Sequence, residues 1–242
     1  MIQDKFNGFN KDIFSFFSEL EKNNNLDWFN KNRERYQKNI VQPTKDFITS
    51  LAPFINRLNA SIRTEPKFNE TIMRINKDLR FAKGAPYRNY WLIHFGRFKM
   101  DSEFFLYFDS TNSDMGLFIN KSKGENLFFK DNFVKYKQEI KKIFQTKSLN
   151  DKYSLYSLDE KEPKEIKKKF NAEKDFNLIE NLKMFLLQKS IPKKIISSDK
   201  IILEMIKMIT ELYPIYCFCI SPNPLKEIEK FENEYGEIVD WF

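Results

Sequence analysis

Between Thr71 and Asn120 four short β-prone runs follow one another: Thr71 to Asn76, Tyr90 to Phe98, Glu103 to Asp109 and Met115 to Asn120, with Thr111 to Asp114 as a tight turn. Four consecutive strands imply an antiparallel meander. Helical spacing flanks them on both sides. Asn10 is placed to cap a first helix to about Lys22, with Ile13, Phe14, Phe16, Phe17 and Leu20 as its apolar face. Asp27 is placed to cap a second helix through Tyr36 to about Ile40, and Pro43 suits the first turn of a third. Helical spacing resumes from Leu127 to Phe144, a loop-like stretch runs from Ser148 to Pro163, and Ser198 is placed to cap a long helix ending near Ile220. The lysine run Lys164 to Lys169, entered through Pro163 and interleaved with Glu162 and Glu165, reads as a solvated helical face. Helices on either side of an antiparallel meander of about four or more strands make an α+β fold. The reading is one domain over 1–242: helical 1–60, sheet-forming 70–120, helical 126–220, and an acidic tail at 225–242. That tail keeps Ile228, Phe231, Tyr235 and Ile238 and is expected to pack as an extra helix.

With 26 Phe, 10 Tyr and 3 Trp in 242 residues, the chain carries far more bulk than a disordered one. Its apolar runs, such as Phe104 to Phe108, fall well short of the roughly 20 residues that cross a bilayer, and no apolar signal core follows the first residues. A cytoplasmic protein without a membrane partner is the expectation. The only cysteines, Cys217 and Cys219, lie two apart in an apolar segment and give no disulfide framework. With one histidine and no C-x-x-C pair, the sequence all but excludes a soft Cys/His zinc site and leaves only an all-oxygen magnesium or calcium site open; no metal is assigned and no cofactor is named. Nucleophilic schemes that need an imidazole would have to use His94. The glycine-rich nucleotide and hydrolase loops are absent.

The net charge of +7 is unevenly placed: residues 63–100 carry 9 basic and 3 acidic side chains, a net +6. The stretch R-I-N-K-D-L-R-F-A-K-G-A-P-Y-R-N-Y, Arg74 to Tyr90, holds most of it. If Ile72 to Asp78 is extended, Arg74, Asn76 and Asp78 share one face and Met73 and Ile75 the other. Lys77 adds charge, and Arg80, Lys83 and Arg88 follow on a loop with Gly84 and Pro86, a setting in which cations and amides can converge on an oxyanion. Asp78 either orients Arg80 or Arg74 through a bidentate pair or acts as an acid, a base or a metal ligand. His94 shares a strand face with Tyr90 and Leu92, and is either a hydrogen-bonded core residue or a proton-transfer group. In the early helices Asn24, Trp28, Asn32 and Tyr36 recur every four residues. Trp28 and Tyr36 fit core packing, whereas Asn32 fits a ligand contact or a tether for the basic loop.

The same residues carry a family resemblance. N-N-N-L-D-W-F followed by N-R-E-R-Y (Asn23 to Tyr36), the Arg74 to Tyr90 stretch, His94-Phe95 and L-Y-P-I-Y (Leu212 to Tyr216) resemble the bacterial and fungal family called domain of unknown function 2461. Its central pattern is close to R-x-x-R-D-x-R-F-S-x-x-K-x-P-Y-K. Arg74, Asp78, Arg80, Phe81, Pro86 and Tyr87 match it, Lys77 and Arg88 stand in for other basic residues, and Ala82 replaces the usual serine. The resemblance implies an α+β fold and no particular activity.

The functional expectation is an anionic, phosphate-bearing small ligand held by Arg74, Asn76, Lys77, Arg80, Lys83, Tyr87 and Arg88, with Trp28 and Asn32 alongside. Were it an enzyme, hydrolysis or group transfer at a phosphate or glycosidic carbon would use Asp78 or His94 for proton transfer. Two alternatives stand: nucleic-acid binding by the same basic face, and a structural ion-pair network. Nothing in the sequence sets the oligomeric state.

Overall fold

The computed structural model describes residues 6–78, 80, 84–160 and 162–239. Helix α1 (Asp12–Lys22) buries Ile13, Phe16, Phe17 and Leu20, and Asn10 accepts the Asp12 amide at its start at 2.9 Å. Helix α2 (Leu26–Lys31) is capped by Asn25, whose side chain accepts the Trp28 N–H. Asp27, the expected cap, lies inside the first turn, while Asn25 has the extended backbone a cap needs. Helix α3 (Arg33–Tyr36) runs into a π-helical turn at Gln37–Val41 and then α4 (Gln42–Leu58), with Pro43 in its first turn.

Strands β1 (Tyr90–Phe95), β2 (Glu103–Asp109) and β3 (Ser113–Asn120) form the expected meander. Then come α5 (Phe129–Lys135), α6 (Lys137–Thr146), β4 (Ser154–Ser157), β5 (Lys164–Lys167), α7 (Asn177–Glu180), β6 (Met184–Ser190), α8 (Lys193–Ile196), α9 (Lys200–Ile220) and α10 (Pro224–Val239). The six strands make one antiparallel sheet in the order β1-β2-β3-β6-β4-β5, and the fold is α+β.

Two regions differ from the sequence reading. The loop-like stretch and lysine run are an antiparallel hairpin, Leu155 opposite Lys167 and Tyr156 opposite Glu165. Its outer strand β5 is solvated, as a lysine-rich edge should be, and Pro163 stands just before it, where a missing N–H costs no ladder bond. The run Met184–Ser190 is a strand with Phe185 and Leu187 buried; a short apolar run does not distinguish strand from helix by period alone. Ser198 lies before α9 but donates its hydroxyl to the Ile195 carbonyl rather than capping.

The chain forms two compact units, each discontinuous in sequence. The first comprises residues up to 97, 105–114 and 190–205. Its core is aromatic: Phe9 and Phe17 pack on Phe108, Phe16 stacks on Tyr36, and Tyr36 meets Trp91 edge-on at 5.8 Å. Trp91 is 1% exposed and its indole N–H donates to the buried Thr44 hydroxyl at 2.9 Å, so the largest core side chain has its one polar group satisfied. The second unit comprises 98–104, 115–189 and the chain from 206. There Phe133 stacks on Phe176, Phe144 meets Phe170 edge-on, and α9 buries Tyr216, Cys217 and Cys219. The acidic tail is helical as far as Val239 and packs Phe231 on Tyr213.

Candidate functional site

The segment before β1 was read as a regular strand at Thr71 to Asn76, but it makes only isolated bridges, Ile72 with Ile93 and Asn76 with Tyr87. The hydrogen bonds explain why. His94 N–H bonds Thr71 and Met73 N–H bonds Leu92, whereas Arg88 N–H bonds Ile75 and Lys77 N–H bonds Pro86. Between Met73 and Ile75 stands one residue, Arg74; opposite it, between Arg88 and Leu92, stand three. The extra residues make a bulge, which breaks the ladder and re-aims the side chains beside it. Arg88 repairs the break: its Nη1 donates to the carbonyls of Arg74 (2.8 Å) and Asn76 (2.6 Å).

The far side of this hairpin is held by Asn24. Its amide donates to the Tyr87 carbonyl and its carbonyl accepts the Tyr87 N–H, both at 3.0 Å. A single carboxamide thus stands in for a paired strand. Tyr87 is 2% exposed and stacks on Phe29 at 4.1 Å with the rings 17° apart. Burial pushes its phenol up, with the Arg33 charge acting in the opposite sense.

Over this platform opens a cavity of about 410 Å³, lined by Phe29, Arg33, Tyr36, Gln37, Phe68, Arg74, Ile75 and Asn76. The floor is aromatic and the polar groups come from two elements: the α3 and π-turn segment supplies Arg33, Tyr36 and Gln37, and the bulged segment supplies Arg74 and Asn76. Among the described residues neither the Arg33 nor the Arg74 guanidinium has a hydrogen-bond or ion-pair partner, and the amides of Gln37 and Asn76 have none either. Burial pushes the Tyr36 phenol well above its ordinary value, so it stays a neutral hydroxyl.

The sequence-predicted residues divide. Arg74 and Asn76 are in the cavity. Arg80 makes a bidentate pair with Asp78, 2.7 and 3.0 Å, at the exposed end of the hairpin, and that pair holds the Asp78 carboxyl below its usual range. Asp78 is therefore oriented on its neighbour and, like His94 on β1, is not among the described residues that border the cavity. Arg88 is committed to backbone carbonyls and Tyr87 lies beneath the floor. Lys77 is half-buried outside the cavity, and Lys83 falls outside the described residues. Asn32 donates to the Trp28 carbonyl one turn back, and Trp28 packs on Phe16 at 5.4 Å, so neither enters the site.

Arg33 and Gln37 were missed. The stripe 24-28-32-36 lies one position away from 29-33-37, which has the same four-residue period and lines the cavity together with Tyr36 of the first stripe. The sequence offers only that Arg33 and Gln37 are polar residues at four-residue spacing from Phe29; which stripe borders the cavity is set by the fold.

An α+β protein with a basic, aromatic-floored cavity beside a bulged hairpin is the class that fold and site define. The family model described as a conserved hypothetical protein (DUF2461) matches residues 12–218, and the chain belongs to that family. Among curated proteins, none matches it. No helix among the described residues is long and apolar enough to cross a membrane, and no group of three or more His, Cys, Asp or Glu among them is placed to hold a metal ion.

Proposed function

We propose that this protein binds an anionic, phosphate-bearing small ligand in the cavity between the α3 and π-turn segment and the bulged hairpin. The observation that carries the reading is the pair Arg33 and Arg74, two guanidiniums at one cavity that form no ion pair with an acid among the described residues. A guanidinium presents a planar fork of donors that matches phosphate or carboxylate oxygens two at a time. Two of them supply the charge a phosphate dianion needs, and the neutral Tyr36 hydroxyl adds a donor. The cavity volume lies within the range of about 300–1,000 Å³ usual for small-molecule sites. The π-helical turn that places Gln37 is a local irregularity of a kind often found at such sites.

This reading moves the anion site from the basic loop to the base of the hairpin, because Arg80 and Arg88 are already engaged. It assigns binding and no reaction, since Asp78 and His94 lie outside the cavity lining. The test is thermal denaturation of the wild type, Arg33→Ala and Arg74→Ala with inorganic phosphate and pyrophosphate at two salt concentrations. Stabilisation should grow with the logarithm of anion concentration, about 2.7 kcal/mol at a hundred times Kd, and vanish in both variants while their unliganded stability is unchanged. Equal stabilisation of all three proteins would remove the two arginines from the site. A steep salt dependence with short DNA or RNA as the better ligand would favour nucleic-acid binding instead.

A further inference from the structure

We infer that the ligand is a mononucleotide: a phosphate on the two arginines carrying a nitrogen heterocycle into the aromatic part of the same cavity. The inference rests on the anion reading above and goes further, because it uses the residues that reading leaves idle. Inorganic phosphate needs only Arg33 and Arg74. It leaves the cavity's volume of about 410 Å³ largely unfilled, and it leaves Phe68, Gln37 and Asn76 without a role.

Each of those residues suits a base. Phe68 is half-buried with its ring edge-on to Trp91 at 6.2 Å, and Phe29, 5% exposed and stacked on Tyr87 at 4.1 Å, closes the apolar floor beside it. A partly exposed aromatic ring over an apolar floor, as Phe68 provides, is what nucleobases stack on. Gln37 and Asn76 carry side-chain amides with no partner among the described residues. A primary amide offers a donor and an acceptor side by side, the complement of the paired donor and acceptor on a base edge. The two amides come from the two elements that also bring the two arginines, so each side of the cavity offers one charge and one reading group. An oligonucleotide suits the site less well. A phosphate chain needs a track of cations, and the motif's other two arginines are held by Asp78 (Arg80) and by backbone carbonyls (Arg88).

The experiment is isothermal titration of the full chain with AMP, GMP, CMP, UMP, ribose 5-phosphate, inorganic phosphate, adenosine and a ten-nucleotide single-stranded DNA. It is repeated with Arg74→Ala, Phe68→Leu, and Gln37→Ala combined with Asn76→Ala. At least one mononucleotide should bind ten times or more tightly than ribose 5-phosphate. Phe68→Leu and the double amide variant should each reduce that ratio, and Arg74→Ala should remove the preference for the monophosphate over its nucleoside. If ribose 5-phosphate and inorganic phosphate bind as tightly as every mononucleotide, and Arg74→Ala abolishes all three, the base reading is overturned while the anion site stands. If adenosine binds as tightly as AMP, the anion reading falls. Tighter binding of the oligonucleotide than of every mononucleotide, or no binding at all, overturns the inference outright. Because Arg74, Gln37 and Asn76 are exposed and Phe68→Leu keeps apolar bulk, near-native circular dichroism of the variants is the check that each one folds.

Discussion

Replacing Asn24 by alanine removes the only described link between the α1–α2 junction and the backbone of Tyr87. Two hydrogen bonds of 3.0 Å are lost, and the Tyr87 N–H and carbonyl, which point away from the Asn76 bridge, lose their described partners. At about 0.5–1.5 kcal/mol net for each bond, the loss is about 1–3 kcal/mol. Water can reach the half-buried position, which favours the middle of that range. At a urea slope of about 2–3 kcal/mol/M for a chain of this size, a loss of about 2 kcal/mol lowers the unfolding midpoint by roughly 0.7–1 M. Asn24→Asp keeps one acceptor, loses the donor and sets a carboxylate against the Tyr87 carbonyl, so it should be no better than alanine. The assay is equilibrium urea unfolding followed by tryptophan fluorescence and far-UV circular dichroism, with Asn23→Ala as the neighbouring control. Because Tyr87 supports Phe29, Asn24→Ala should also weaken ligand binding at a temperature where it is fully folded. A midpoint within roughly 0.2 M of wild type, well short of the expected shift of about 0.7–1 M, would refute the claim that this carboxamide holds the hairpin.

Further outcomes follow from other parts of the fold. Arg35 bonds both carboxylates of α1, Asp12 and Glu19, and holds both below their ordinary values of 3.8 and 4.5. Depressed carboxylates contribute stability that is present above those values and lost as pH falls through the folded ones, so wild-type stability should decline below about pH 4.5 more steeply than that of Arg35→Gln, measured by urea unfolding from pH 7 to pH 3. Asp114 is the opposite case: burial raises its pKa despite the Ser190 hydroxyl donated at 2.7 Å, so its charge costs stability as pH rises above the ordinary value of 3.8. Asp114→Asn should match or exceed wild-type stability at pH 7 and lose that advantage near pH 3. A β-carbon on Gly116 would strike the backbone carbonyl of Leu187 on β6, so Gly116→Ala should lower thermal stability by about 1–3 kcal/mol or more, whereas Gly84→Ala, with open space around it, meets only the strain of φ +98°, about 1 kcal/mol. Tyr36→Phe should leave unfolding unchanged within about 0.5 kcal/mol, since no described group bonds the hydroxyl, and should weaken anion binding in a titration.

The α+β class and the meander were legible because β1, β2 and β3 are short, aromatic-rich and separated by turn residues. Helices α1, α4 and α9 were legible because their apolar spacing is long enough to fix a period. The hairpin β4–β5 was not, since its two four-residue strands are half polar and a lysine-rich edge strand looks like any solvated segment. Strand β6 was not, because Phe185, Leu186 and Leu187 are adjacent and carry no period. At the site, residue type picks out Arg74 and Asn76, which line the cavity, but it does not say which cations of the motif are already engaged. That depends on Asp78 lying two residues from Arg80, and on a bulge that turns two carbonyls toward Arg88. The choice between helical stripes one residue apart, 24-28-32-36 and 29-33-37, depends on which face the bulged hairpin covers, and only the folded arrangement shows that.

The most direct test of the anion site is a crystal structure of the wild-type protein grown with phosphate as the only polyvalent anion, alongside Arg74→Ala grown in the same way. Tetrahedral density within hydrogen-bonding reach of both Arg33 and Arg74 in the wild type, absent from the variant, is the expected result. An empty cavity in the wild type, or Arg33 and Arg74 turned onto acids of the chain itself, would contradict it.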